Sequence, residues 1–284
     1  MILVFGKTGQ VAQELGKFKN VVTLDRSQAD LAYPKTCKAA IYSYKPAAVI
    51  NAAAYTAVDQ AEEDEILAKT VNGVAPGEIS RACADLNIPF VHISSDYVFE
   101  GTGYHMWKTS DPTKPQNAYG RSKLLGELAI KNFGSTYAIL RTSWLVSEHG
   151  KNFLKTMLQI SKNCDVIKVV DDQIGGPTPA HEVAKACIKI TYDLLEDPKK
   201  IGVYHFSGTP DVSWCDFANI IFNKAGCQTV ALPIPTSEYP VKSKRPLNSR
   251  LDCSKTEEKF NIFRPNWIEG LEKILRGLKE DEKA

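Results

Sequence analysis

At 284 residues, with 43% hydrophobic and 24% charged side chains, the chain is long enough for one large α/β domain with an appendage or for two modest domains. Its 35 basic and 33 acidic side chains nearly cancel, which excludes the footprint of a nucleic-acid or membrane-surface binder, and no repeat period argues for an array. Seven scattered cysteines, odd in number and never in a C-x-x-C pair, read as free thiols of a reducing compartment, so a cytoplasmic location is expected; the five histidines lack metal-ligand spacing.

The opening, ILVFGKTGQVAQELGKF, runs from a short apolar strand through a glycine turn into an amphipathic helix. Met1 to Phe5 is too short to span a bilayer and reads as a first buried strand. Gly6 and Gly9 mark backbone that turns tightly ahead of a helix N-terminus, a place that suits a pyrophosphate, and Ala12 is the third small residue of G-x-x-G-x-x-A. The second apolar run, NVVTLD, ends at Asp25, near the ~20-residue offset expected of an acid on an adenosine ribose. Arg26 beside it suits a 2′-phosphate instead, so the two neighbours point to opposite cofactor preferences; a turn or helix-cap role for Asp25 is the plain alternative.

Pro34 to Tyr44 reads as a helix, and Ala47 to Ala54 as a buried parallel strand whose small carboxyl end lets a flat ligand lie on the backbone. The stretch from Thr56 to Asn87 reads as helical, with Gly73 and Pro76 marking a kink or a helix start. PFVHISSDYVFEG is a strand running into a polar mouth at Ser94, Ser95 and Asp96, where a hydroxyl has the chemistry to bind a substrate carbonyl; a plain turn after the strand is the alternative. In NAYGRSKLLGELAIKNF, Leu124, Leu125, Leu128 and Ile130 form a helical stripe, placing Tyr119 and Lys123 at i and i+4 on one face. An ammonium there favours the phenolate and lowers the tyrosine pKa toward working pH; a chance Y-x-x-x-K on an exposed helix is the alternative.

The strands YAILRTSWLV, VIKVVDDQ and VYHFSG alternate with helices at NFLKTMLQISKN and from His181 to Leu195, which implies a mainly parallel, doubly wound sheet over residues 1–207, with segments after 145 open to a substrate-side role. Residues 208–284 change character. They comprise the helix WCDFANIIFNKAG, the Pro-rich basic stretch LPIPTSEYPVKSKRPLNSRLD, the closing helix WIEGLEKILRGL and a solvated KEDEKA tail, and read as a small substrate-binding part without its own strand-helix repeat.

Seven ordered motifs, FGKTGQV, NAAAYTAVDQAE, SSDYVFEG, YGRSK, RTSW, DQIGGPT and RPLNSRLD, together resemble the extended short-chain dehydrogenase/reductase superfamily, and within it the dTDP-4-dehydrorhamnose reductases. The resemblance implies a Rossmann-type sheet and an oxidoreductase that passes hydride from NADPH, or NADH, to the C4 keto group of a nucleotide-linked 4-keto-6-deoxy sugar. It implies Tyr119 as proton donor, Lys123 as its partner and nicotinamide-ribose ligand, and Ser95 as third catalytic member. The pyrophosphate turn would be Gly6, Gly9, Gln10 and Val11; Asp25 and Arg26 would meet the adenosine ribose, Asp30 and Leu31 the adenine, and Ala53, Ala54, Tyr55 and Thr56 the rest of the cofactor. Ser95, Asp96, Trp144, Arg245, Asn248 and Arg250 would bind the nucleotide-sugar. Some members hold magnesium between subunits; Glu14 suits that role, but His181 and Lys185 stand where further acids belong, so no metal is expected. A homodimer is open. A non-catalytic NADP-binding subunit similar to the β subunit of methionine adenosyltransferase, and another sugar-nucleotide epimerase or dehydratase, are the rival readings.

Overall fold

The computed structural model describes residues 1–134 and 136–281. Six strands make the central sheet: β1 (Ile2–Phe5), β2 (Val21–Leu24), β3 (Ala48–Asn51), β4 (Phe90–Ser95), β5 (Tyr137–Thr142) and the edge strand Gly202–His205. Their order is Gly202–His205, β5, β4, β3, β1, β2, and every pairing is parallel. β1 and β3 are buried at every position, as apolar runs covered by helices on both faces must be.

The helices alternate with the strands. α1 (Gln10–Leu15) follows β1 and α2 (Pro34–Tyr44) follows β2. After β3, α3 (Glu65–Lys69) passes through one π-helical turn, Thr70–Val74, into α4 (Ala75–Asp85), so the expected break at Gly73 is a local widening of a continuing helix. α5 (Ala118–Asn132) joins β4 to β5; α6 (Phe153–Ile160), α7 (Ala180–Glu196), α8 (Trp214–Ala225), α9 (Ser254–Phe260) and α10 (Trp267–Asp281) complete the set. One core packs α1 and α7 on the sheet through Val11, Leu15, Val183 and Ile190, and the other packs α2, α4 and α5 through Ile41, Ile79, Cys83 and Ile130.

A third core lies apart from the sheet, where Leu154, Met157 and Val169 meet Phe217, Ile221, Trp267 and Leu271. Here the structure corrects two expectations. VIKVVDDQ does not extend the doubly wound sheet: Val166–Val170 pairs in parallel with Val230–Ile234, so the Pro-rich C-terminal part does contribute a strand. The cause is burial, since Val166 and Lys168 face solvent and the strand can bury only part of itself. A small sheet, with Ile174–Gly175 between Val212–Ser213 and Asn248–Ser249, then ties residues from both sides of position 207 together. The KEDEKA tail is helical to Asp281, and its remainder lies outside the described residues. Among the described residues no helix is long and apolar enough to cross a membrane.

Candidate active site

All six strands end at one edge, and the chain steps from β1 out to β2 and then crosses back to β3 on the other side of β1, so a crevice opens between the turns that follow β1 and β3. Gly6 has φ 99°, and a Cβ there would lie 3.3 Å from Ala53, so glycine lets the two turns close on each other. Gly9 precedes α1 in extended conformation with no side-chain cap. The Gln10 side chain accepts a hydrogen bond from Asn152 at 3.0 Å and Val11 is core, so these two offer the crevice their backbone. Ala53 donates its N–H to Asn51 Oδ1 at 3.1 Å; Tyr55 exchanges backbone bonds with the Asn72 amide at 2.8 and 3.0 Å; Thr56 is exposed.

At the end of β2, Asp25 accepts from the Ser27 hydroxyl at 2.5 Å and its N–H at 3.0 Å, with Lys7 at 3.5 Å. Those bonds, the Ser27 hydroxyl first, hold its carboxyl below the usual range. Arg26 beside it is exposed, Asp30 accepts from Ala32 N–H at 2.9 Å, and Leu31 is buried. A glycine turn closed against small side chains, with an ionised acid at the neighbouring strand end, fits a dinucleotide.

The buried face of α5 carries Gly120, Ser122, Lys123, Gly126 and Glu127, whereas Leu125 and Leu128 of the expected stripe are exposed. Close approach decides this: a Cβ on Gly120 would collide with the Tyr97 carbonyl oxygen. Asn117 starts the helix by accepting from Gly120 N–H at 2.8 Å, and its amide donates to the Lys244 carbonyl at 2.9 Å, tying α5 to the C-terminal part. The helix start delivers Tyr119 to the neighbourhood of Ser95, whose hydroxyl favours the ionised phenol. Ser95 also donates to Asp96 Oδ1 at 3.0 Å, and Asp96 Oδ2 accepts from Ser249 at 2.6 Å. Burial pushes the Asp96 carboxyl up to about 6 against the two serine bonds.

The expected lowering of the Tyr119 pKa is not what this structure holds. Part of the ring is exposed, but burial at the hydroxyl end pushes the phenol well above its ordinary value, with Asp96 adding to the rise and Ser95 opposing it. Lys123 is fully buried and turned the other way, its Nζ 2.7 Å from the Ile93 carbonyl and 3.3 Å from His92 Nε2. Burial brings it down to about 8, against the opposing pull of Glu127. Glu127 is itself engaged by Arg141 at 2.6 and 2.8 Å and by Ser94 at 2.7 Å, a buried pair reached by no local sequence signal.

Beyond Tyr119 opens a cleft of about 420 Å³. Tyr97, which packs edge-on against Tyr119 at 5.3 Å, forms part of its wall, with Trp144, Phe153, Trp214, Arg245 and Ser249. Trp144, expected at the nucleotide-sugar, stands at φ 49° and stacks on Trp214 with ring centroids 3.5 Å apart, so two indoles share this wall of the cleft. Trp214 and Phe153 lacked a motif and were missed.

In the RPLNSRLD segment the structure redistributes roles. Arg245 reaches the cleft, braced by Asp59 at 2.7 Å. Asn248 is buried and uses both ends of its amide within the protein: it donates to the His105 carbonyl at 2.7 Å and accepts from the Arg250 guanidinium at 3.1 Å. Asn248 and Arg250 are not among the residues lining the cleft, whereas Ser249, between them, lines it and donates to Asp96.

Glu14 has Glu148 and His149 for neighbours, with ligand atoms within 4.8 Å of one another, rather than acids from α7. The Lys17 ammonium already bridges the two carboxylates, at 3.0 Å from Glu14 and 3.2 Å from Glu148.

The model of the RmlD substrate binding domain matches residues 1–280. A dTDP-4-dehydrorhamnose reductase of Burkholderia thailandensis is 42% identical over 282 residues, 94% of this chain and 95% of that protein. Among solved structures, a dTDP-4-dehydrorhamnose reductase of Clostridium acetobutylicum superposes with a TM-score of 0.91 at 34% identity, covering 98% of this chain and 99% of the other. One of Bacillus anthracis, in complex with NADP, gives 0.90 at 31% identity over 97% and 98% of the two chains.

Proposed function

The chain belongs to the RmlD substrate binding domain family, and from that premise we propose that it reduces the C4 keto group of dTDP-4-dehydro-β-L-rhamnose to give dTDP-L-rhamnose, with NADPH as the preferred reductant and NADH as an alternative. The observation that carries this reading for the chain's own residues is the meeting of Tyr119 and Ser95 at the sheet's carboxyl edge, with Tyr97 packed edge-on against Tyr119 and lining the aromatic cleft.

The cofactor, when bound, supplies the hydride. Ser95 orients the C4 oxygen, and Tyr119, kept protonated by burial, gives its hydroxyl proton to that oxygen as charge develops there. Lys123, as an ammonium, stabilises the phenolate that Tyr119 leaves behind. Trp144 and Trp214 stack against the sugar-nucleotide, and Arg245, a planar fork already oriented by Asp59, takes the diphosphate. Gly6 and Gly9 admit the pyrophosphate of the cofactor, with Asp25 and Arg26 at its adenosine ribose. The reading includes a cytoplasmic enzyme, in keeping with seven free cysteines. It also includes a homodimer, for which exposed Ile66, Leu125 and Leu128 on α3 and α5 offer an apolar face, testable by sedimentation.

The direct test is loss of NADPH absorbance with dTDP-4-dehydrorhamnose made in place by the upstream 3,5-epimerase. Turnover dependent on both enzymes is expected. A chain that binds NADPH but leaves its absorbance unchanged would be the non-catalytic subunit.

A further inference from the structure

His92 is fully buried on β4, opposite Asn51 of β3 in the parallel register and beneath Lys123 of α5. Two nitrogen donors converge on its ring: Asn51 Nδ2 lies 3.2 Å from Nδ1, and Lys123 Nζ lies 3.3 Å from Nε2. The orientation of the Asn51 amide follows from its other end, where Oδ1 accepts the Ala53 N–H at 3.1 Å. The group turned to His92 is therefore the NH₂, and Nδ1 must accept from it.

A neutral imidazole has one lone pair and one N–H. With the lone pair on Nδ1 committed to Asn51, the proton sits on Nε2 and points at Lys123. An ammonium has no lone pair to receive it; a neutral amine has one. The opposite tautomer would set Nδ1–H against the Asn51 NH₂, and a flipped amide would set that NH₂ against the Ala53 N–H. Each alternative leaves two donors facing one another between fully buried side chains.

We propose that His92 is a positioning residue for Lys123: its Nε2–H donates to the lysine amine, which donates in turn to the Ile93 carbonyl, so that the cofactor-free protein parks Lys123 as a neutral amine. The charges on the surrounding elements agree. From α5, Glu127 is taken up by Arg141 of β5 and by Ser94 of β4, which limits its pull on a lysine cation. From β3 the facing group is the uncharged Asn51, and burial holds His92 itself well below its ordinary value.

The consequence lies in the reductase reading, on which it rests. Lys123 serves the reaction as a cation, so it must leave His92 and take one proton from solvent, forming one N–H bond on Nζ while His92 keeps its own proton. Loss of the Nε2–H donor removes what favours the amine, so the ammonium should persist to higher pH.

Two measurements test this. The imidazole ¹⁵N spectrum of the wild-type protein without cofactor reports the His92 tautomer directly and needs neither variant nor activity; the Nε2–H form is expected, and the Nδ1–H form would overturn the proposal. In the second, the alkaline limb of kcat/KM is followed. His92→Leu should move it upward by about one pH unit, whereas His92→Gln, whose amide can accept from Asn51 and donate to Lys123, should keep it near the wild-type position. A limb that stays put in His92→Leu, or moves equally in both variants, would also overturn it. Should the protein show the Nε2–H tautomer but no turnover at all, the reductase reading fails while the contact stands.

Discussion

Ser249 Oγ donates a 2.6 Å hydrogen bond to Asp96 Oδ2 across 153 positions of sequence, joining the C-terminal segment to the residue next to Ser95. Asp96 is buried, and its carboxyl is pushed up to about 6 from 3.8. Between those values the folded protein holds a proton that the unfolded chain has released, so stability falls as pH rises through that window. Asp96→Asn should flatten this part of the profile, read as the thermal midpoint from pH 4 to pH 6.5. A variant that keeps the wild-type slope would assign the slope to another group.

Tyr119→Phe removes one hydroxyl at the end of a ring packed edge-on against Tyr97. Folding and NADPH affinity should hold, while kcat falls by roughly 10²-fold or more, the scale of a lost general acid. Near-normal kcat would mean that another group supplies the proton.

Arg26→Ala should raise the KM for NADPH much more than that for NADH, because Arg26 is exposed beside an Asp25 already engaged by Ser27 and Lys7. Equal changes for the two cofactors would show that the guanidinium does not reach a 2′-phosphate.

The two arginines of the C-terminal segment should separate. Arg245→Ala, at the cleft, should raise the KM for the sugar-nucleotide about tenfold or more, with Arg245→Lys recovering only part because an ammonium lacks the planar fork. Arg250→Ala should act weakly on that KM, since Arg250 bonds to Asn248 and is not among the residues lining the cleft. The opposite ranking would put the diphosphate on the other side of the segment. NADPH affinity, measured by fluorescence titration, should stay unchanged in both.

Arg141→Met should cost about 3–5 kcal/mol in chemical denaturation, because it strands the fully buried Glu127 carboxylate. Combining it with Glu127→Gln should recover a large part of that loss, which a purely steric role for Arg141 would not predict.

What the sequence determined by itself was whatever short-range pattern can encode. The apolar runs of β1 and β3, the span Pro34–Tyr44, the turn at Gly6 and Gly9 and the i, i+4 placement of Tyr119 and Lys123 each follow from local periodicity or from one residue's backbone freedom. The tertiary structure alone decided which faces those patterns turn inward and which distant groups meet. Leu125 and Leu128 were the obvious apolar side of α5, yet the helix buries Lys123 and Glu127, because Arg141, Ser94 and His92 wait on the sheet and satisfy them. VIKVV looked like one more strand of the main sheet, yet with Lys168 in solvent it pairs with Val230–Ile234 and opens the third core. Asn248, Arg250 and Ser249 are adjacent in sequence, and only their separate partners assign one to structure, one away from the cleft and one to Asp96. The same reason runs through each case: a side chain's role depends on the partner that satisfies it, and those partners lie far away along the chain, at distances that no local pattern encodes.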